Sequence, residues 1–382
     1  MTRNGLAFAA MVVTSAIVGW LLDWQEFRII AIGGALLLLL SAAFFWGPLD
    51  MKCRRHVEPG LRTTVGEPTF GVVKFDRQAA GSRFGLAFED KFDGDALVAI
   101  PPRLEAGAET RYELPTNRRG VFSLGPFEVV RGDPFGFFRR SKVLGGSLPL
   151  RVRPRILDIA SLPQAVGRGV DGATSETSPL GGDVFHAVRP YEFGDDHRLV
   201  HWRSTARIGE LMVRQNRDSE RPDLMLLLDD RESSYAHPDD FERAVEIAAS
   251  IAVAAAREAL PLQLFAVHQT MTNTRGTTNT VELVDQLTSI GMEPDGDLVP
   301  ALHNAMRGNR TVSTAIVISG RTIDDEFAAS FVSETGAAQN RLALSVASDA
   351  VPEIRRLGGV SALTVPTGEA FVEHWPGLVA GV

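Results

Sequence analysis

The feature that most confines this chain is a pair of uncharged apolar runs near its start. Leu6–Leu22 and Ile29–Trp46 are 17 and 18 residues long, and only Asp23-Trp24-Gln25-Glu26-Phe27-Arg28 separates them. At ~1.5 Å per helical residue they reach about 26 and 27 Å, close to the ~30 Å of bilayer hydrocarbon. So short a connection allows only a hairpin. Trp20, Trp24 and Trp46 stand near the run ends, where an amphipathic ring suits the headgroup layer. The competing reading is a secretory signal followed by a buried helix, but no convincing small-residue cleavage site precedes the second run. Arg3 comes before the first run, Lys52, Arg54, Arg55 and His56 follow the second, and the loop sets one Arg against Asp23 and Glu26. The positive-inside bias therefore predicts a two-span membrane anchor in residues 1–50, with both ends and all of 51–382 in the cytoplasm.

The rest of the chain, within a total of 382 residues, is long enough for more than one sizeable core. The single cysteine, Cys53, can make neither an intramolecular disulfide nor a multi-cysteine metal site, and it agrees with a reducing compartment. Charge is uneven. Residues 222–382 hold 22 Asp and Glu against 10 Arg and no Lys, a formal −12, so residues 1–221 hold +4 of the total −8. That balance makes nucleic acid an unsuitable partner for the C-terminal part.

From residue 51 to 155 short strand-like runs are punctuated by Gly, Pro and Asn: 69–75, 83–88, 96–100, 110–114, 120–124, 127–130 and 148–152. Such spacing predicts an antiparallel all-β sandwich or barrel. Asp133-Pro134-Phe135-Gly136-Phe137-Phe138 reads as a Pro-directed turn whose Phe rings plug that sandwich; the other reading is a docking patch near the membrane.

Residues 156–221 read as a linker and motif segment, in which 164–179 is Gly/Ser/Thr-rich without periodicity. From Gly182 to Arg207 comes the densest polar constellation in the chain. Arg189, Arg198 and Arg207 are rigid bidentate donors and Asp195 and Asp196 are acceptors. Three readings stand. In the first, Gly194-Asp195-Asp196 forms a turn or helix N-cap, Trp202 packs on the core, and Arg–Asp pairs staple the segment to a neighbouring domain. In the second, the segment recognises a carboxylate or phosphate on a partner or ligand. In the third, His186, Asp195, Asp196, His197 and His201 make a hydrolytic or metal site, although no partnered nucleophile or zinc-helix spacing accompanies them.

Beyond residue 221 the pattern changes to alternating strands and helices. Leu224–Leu228 is continuously apolar, as a parallel strand covered on both faces must be. Helices are predicted at 239–257, 281–290, 298–306 and 323–332, and strands at 262–267, 315–319, 342–346 and 363–365. This is the pattern of a doubly wound α/β sheet whose ligand edge is the carboxyl ends of its strands, where Asp229 and Asp230 stand.

The string Arg189-Pro190-Tyr191, Gly194-Asp195-Asp196, Arg198, Trp202, Ala206-Arg207, followed by a strand ending in Asp229, closely resembles the bacterial and archaeal domain-of-unknown-function family 58. The resemblance extends to the two-span start and the turn at Asp133. It implies a C-terminal domain similar to von Willebrand factor A domains, and a role beside a MoxR-type AAA+ ATPase in assembling or activating complexes, since genes of the two kinds commonly neighbour each other. The resemblance brings no assigned reaction. It does invite Mg²⁺, which such A domains hold through Asp-x-Ser-x-Ser at the first strand end, with a Thr and an Asp from later loops. Here the frame reads Asp229-x-Arg231-x-Ser233, and a guanidinium cannot ligate a cation. The frame Asp230-x-Glu232-x-Ser234 restores oxygens one residue out of register, while Gly320-Arg321 stands where the later Asp would be sought. A degenerate edge with Arg231 paired to Asp229 or Asp230 is expected, and no cofactor.

The expected role is a membrane-anchored, non-enzymatic scaffold or adaptor. Its partner-binding surface comprises Asp229, Asp230, Arg231, Ser233 and Ser234 with the Gly194–Arg207 segment, and a MoxR-type AAA+ ATPase and the lipid bilayer are its partners. The alternatives are a Mg²⁺-dependent protein-binding module and, less in keeping with the residues, an envelope hydrolase or transferase.

Overall fold

The structure, a computed structural model, describes residues 1–45, 49, 53–75, 86–100, 109–163, 185–192, 200–216, 223–268, 270–273, 280–294, 296–307, 312–336 and 338–381. The predicted loop at 164–179, and Gly194, Asp195, Asp196, His197 and Arg198 of the motif, lie outside them. The chain divides into two compact units, Met1–Arg155 and Ile156–Val382.

The first unit opens with helices α1 (Arg3–Leu21) and α2 (Gln25–Phe45), each long and apolar enough to cross a membrane. Small side chains let them pack: the buried residues of α1 are Gly5, Val12, Ser15 and Gly19. At the hairpin tip Arg28 donates to the Gly19 carbonyl at 3.0 Å and pairs with Asp23. Leu21, Ile29 and Leu39 are among the apolar side chains left exposed, a surface that suits lipid and not water.

Among the described residues ten strands follow: β1 (Cys53–Glu58), β2 (Arg62–Thr64), β3 (Phe70–Phe75), β4 (Leu86–Phe92), β5 (Asp95–Ile100), β6 (Glu109–Glu113), β7 (Gly120–Leu124), β8 (Phe127–Gly132), β9 (Arg139–Gly145) and β10 (Leu148–Arg153). One sheet has the order β1-β3-β6. The other runs β2-β10-β7-β4-β8-β9, with β5 paired to β4. Alternation along β4 and β8 sends Phe88, Phe127 and Val129 into one core with Val57 and Val73 of the first sheet, as a sandwich requires. Inside that core Asp90 of β4 receives the Arg55 guanidinium of β1 at 2.7 Å and the Tyr112 hydroxyl of β6, so a buried polar triad ties the two sheets together. Burial and then the hydrogen bond to Asp90 push the Tyr112 phenol well above its ordinary range.

The Phe residues of the turn at Asp133 do not plug this core. Phe135 is 48% exposed, and Phe137 and Phe138 are half-buried. The sandwich fills itself from strands of both sheets, β1, β3 and β6 against β4, β7, β8 and β10, which leaves the turn's rings to pack elsewhere.

In the second unit residues 156–163 lie along a helix. The Leu157 amide donates to Ser250 Oγ at 2.9 Å, the Leu162 amide donates to Glu258 Oε1 at 3.0 Å, and the Leu162 side chain is buried. That part of the segment counted as linker is therefore packed. Strands β11 (Phe185–Pro190) and β12 (Met212–Asn216) form an antiparallel ribbon around helix α3 (Trp202–Ile208). Then come β13 (Asp223–Leu228), α4 (Pro238–Arg257), β14 (Leu262–Ala266), β15 (Thr270–Asn273), α5 (Thr280–Ser289), α6 (Leu298–Met306), β16 (Val312–Ser319), α7 (Asp325–Glu334), β17 (Asn340–Val346), β18 (Glu353–Leu357), β19 (Val360–Val365) and α8 (Gly368–Ala380).

Their sheet has the order β15-β14-β13-β16-β17-β19-β18, parallel through its five central strands and antiparallel at both edges. α4, α5 and α8 cover one face with the core around Leu226, Ile247 and Trp375; α6 and α7 cover the other with Met225, Leu302 and Phe331. From β13 the chain first goes to β14 on one side and later to β16 on the other. The carboxyl end of β13 is thus a topological switch point, where open α/β sheets build their sites.

Candidate functional site

Three parallel strands deliver polar groups to that switch point: Asp229 and Asp230 follow β13, His268 follows β14, and Ser319 ends β16. Asp229 and Asp230 are fully buried, so each charge must be met locally. Asp229 is met by its own neighbour. Arg231 Nε donates to its Oδ1 and Nη2 to its Oδ2, both at 2.8 Å, and the Arg231 amide adds a contact at 3.2 Å. Ser319 Oγ donates to Oδ2 at 2.7 Å, and the Tyr235 hydroxyl donates to the Asp229 carbonyl at 2.6 Å. Burial pushes the Asp229 carboxyl up, but donation from Arg231, Ser319 and Ser234 outweighs it and holds the group below the ordinary carboxylate range. The same hydrogen bond raises the Arg231 pKa, against burial, and Asp297 adds to the rise.

The backbone that makes this possible is a single 3₁₀ turn at Glu232–Ser234, pinned to the segment before α6 by Glu232 N–H to the Glu293 carbonyl and Glu293 N–H to the Asp230 carbonyl, 2.8 Å each. Gly320 permits its close approach to β16: a Cβ there would stand 2.3 Å from Tyr235 Cδ1 and 2.5 Å from the Ser234 carbonyl oxygen.

Asp230 faces the other way. Its Oδ1 lies 2.9 Å from His268 Nδ1, while its Oδ2 is buried with no hydrogen-bond partner among the described residues. His268 is the group that sequence reasoning missed. Its one signal is its place two residues past the end of β14, at the edge where ligand residues gather.

A divalent ion does not fit the residues at Asp229. Both carboxylate oxygens are already taken by a guanidinium, a fixed cation where a metal's charge would sit. The shifted frame is not assembled either, because Ser234 turns to Asp229 while Glu232 is exposed. Among the described residues no cluster of three or more His, Cys, Asp or Glu is close enough to hold a metal. Of the expected partner surface, Asp229, Asp230, Arg231 and Ser234 are buried, and Ser233 is exposed. Around them Glu232, Glu293, Asp297 and Arg321 are exposed, a rim of three carboxylates and one cation that the sequence reading did not single out.

The motif segment is built separately. Arg189 is the last residue but one of β11, with Nη1 3.1 Å from the Pro190 carbonyl and 4.0 Å from Glu192, and Tyr191 N–H donates to the Leu211 carbonyl at 2.8 Å. His201 caps α3, its Nδ1 accepting from the Ser204 amide at 3.2 Å and lying 2.7 Å from Ser204 Oγ. That role is local and structural. Trp202 does not pack on the core: at the first position of α3 it is 69% exposed, and Arg207 in the last turn is exposed as well. The short helix has no buried residue, so propensity and caps hold it where apolar packing does not.

Residues 187–372, which hold the described motif residues and the parallel sheet, match the family model described as Protein of unknown function DUF58. This segment of the chain belongs to the DUF58 family. The match covers the DUF58 region alone; the hairpin and the Asp133 turn, which the resemblance drawn from sequence includes, lie before it. A comparison with curated proteins finds no match. Within the DUF58 region, the strand-end acids and the motif are thus two structures: a sealed charge pair with an acidic rim, and a ribbon with an exposed Trp–Arg helix.

Proposed function

We propose that this DUF58 protein is a membrane-anchored, non-enzymatic adaptor. α1 and α2 hold it in the bilayer with both ends on the cytoplasmic side, and a von Willebrand A-like domain presents its sheet edge to a protein partner, a MoxR-type AAA+ ATPase. One observation carries this reading: Arg231 closes on Asp229, so that carboxylate is spent inside the fold, and what faces outward is a rim of Glu232, Glu293 and Asp297 with Arg321. A rim of that kind favours fast, salt-sensitive capture of a basic surface and needs no ion of its own. The ATPase as partner rests on the family resemblance.

The test is affinity capture of the full-length protein from a detergent extract, with and without nucleotide. Wild type is expected to enrich the ATPase, and the triple variant Glu232→Lys, Glu293→Lys, Asp297→Lys to lose roughly tenfold in recovery, about 1.4 kcal/mol. Failure of the ATPase to enrich in either nucleotide condition overturns the partner, and undiminished capture by the triple variant overturns the rim.

A further inference from the structure

The start of α1 is fastened to the turn that the sandwich core does not use. The Thr2 amide donates to the Phe137 carbonyl at 2.9 Å, and Thr2 Oγ1 donates to the Gly136 carbonyl at 2.6 Å. Gly5 is what lets helix and turn meet, since a Cβ there would lie 2.2 Å from the Phe137 carbonyl oxygen. One turn further on, the Phe8 ring stacks on Phe137 with centroids 4.5 Å apart and planes 13° from parallel. Phe137 in turn lies 5.9 Å from Phe135, which is half exposed. Asp133 keeps the turn in shape by accepting the amides of Phe135 and Phe138. The result is a ladder of three rings leading from the helix out to the tip of a β-turn.

Depth follows from the helix. Phe8 is five residues into α1, roughly 8 Å from its first residue at ~1.5 Å per residue. If α1 crosses the hydrocarbon layer, Arg3 stands near its boundary and Phe8 lies inside it. A ring stacked face to face on Phe8 shares that depth to within a few ångströms, and Phe135 is the next ring outward. Arg140, exposed, follows two residues after the turn, where a cation meets lipid phosphates, and exposed Arg139 beside it pairs with Glu89.

We propose that the Asp133–Phe138 turn is a lipid-inserted wedge, with Phe135 seated at the boundary between acyl chains and headgroups of the leaflet that α1 enters. Its occupant is the bilayer itself. The proposal rests on the reading of α1 and α2 as membrane spans. It makes the sandwich a body braced against the membrane surface at a second point beyond the chain connection to α2.

Spin labelling of the full-length protein tests it, in a Cys53→Ser background reconstituted into phosphatidylcholine–phosphatidylglycerol vesicles free of other proteins. Phe135→Cys carries one nitroxide and Thr14→Cys, an exposed position midway along α1, carries the reference; accessibility to oxygen is compared with accessibility to a water-soluble nickel chelate. The expected oxygen-to-nickel ratio at 135 exceeds that of free aqueous label by about fivefold or more and stays below that at 14, as suits an interfacial depth. Adding Phe137→Ala is expected to bring 135 back toward the aqueous value. A lipid-like label at 14 with an aqueous label at 135 overturns the wedge and leaves the hairpin standing; it is also the result if a protein, absent from these vesicles, is the true occupant of Phe135. An aqueous label at 14 overturns the hairpin and the wedge with it. A label at 135 that stays in lipid without Phe137 overturns the stack as the device that places it.

Discussion

Replacing Arg231 by Met removes the guanidinium from a carboxylate that has no access to water. Asp229 would keep a hydroxyl from Ser319, the hydrogen bond from Ser234 and a backbone amide, but lose two charge-assisted bonds of 2.8 Å. Breaking a buried pair by deleting one partner costs about 3–5 kcal/mol, and the surviving donors place this case at the lower end, about 3 kcal/mol. For a body the size of the second unit that is a fall of roughly 6–12 °C in unfolding temperature. The measurement is thermal unfolding of the full-length protein in detergent, read from the fully buried Trp375 with the other four tryptophans changed to Phe. The double variant Asp229→Asn with Arg231→Met removes the stranded charge and is expected to recover more than half of the loss. Acidity gives an independent check. Without Arg231, burial raises the Asp229 pKa, so the folded variant binds protons more readily than the unfolded chain and regains stability as pH falls. A loss below about 1 kcal/mol, a double variant no better than the single one, or a deficit that does not shrink in acid would refute this account of the site.

Other outcomes follow from the same structure. In wild type, Asp229 and Asp133 both titrate below the ordinary Asp range. The stability they contribute is complete above an unfolded value of about 3.9 and is lost as pH falls through their depressed folded values, so acid unfolding should begin below about pH 4. Asp90→Ala leaves the Arg55 guanidinium only the Leu124 and Gly146 carbonyls and should cost the first unit about 3 kcal/mol in denaturant titration, whereas Glu109→Ala at its exposed rim should leave the midpoint nearly unchanged. Gly320→Ala forces a methyl against Tyr235 and the Ser234 carbonyl and should lower stability by about 1–3 kcal/mol, visible as a lower unfolding midpoint. Leu162→Ala should cost about 2–5 kcal/mol by the same measurement, because the side chain is buried in the main core of the second unit.

Much of the α/β unit was legible because its strands are unambiguous. Leu224–Leu228 has no polar residue on either face, and β13 indeed has parallel neighbours on both sides. That Arg231 pairs with Asp229 or Asp230 could be read from chemistry at close spacing, and the structure gives Asp229. What escaped was of three kinds. Edge strands carry no alternation: β9, RRSKVLG, and β18, EIRRL, are largely exposed and charged, so nothing in the pattern marks them. α8 holds Pro376 next to Gly377, two residues that argue against a helix, and its Phe371 and Trp375 packing overrides that local preference. Contacts between distant residues leave no trace in one sequence, which is why Phe137 against Phe8, and His268 against Asp230, emerge only in three dimensions. Trp202 misled for the opposite reason: a large ring reads as a core residue, yet α3 offers it no core.

The strap formed by residues 156–163 carries a practical consequence for dissecting the protein. A fragment begun at the first strand of the parallel sheet would tear the cover off the outer surface of α4, baring the seat of Leu162 and leaving Ser250 and Glu258 facing solvent where main-chain amides now sit. Such a truncated piece would be prone to self-association for reasons unrelated to its biology. The natural left-hand margin for autonomous folding is Ile156, well upstream of where the periodicity of the sheet announces itself.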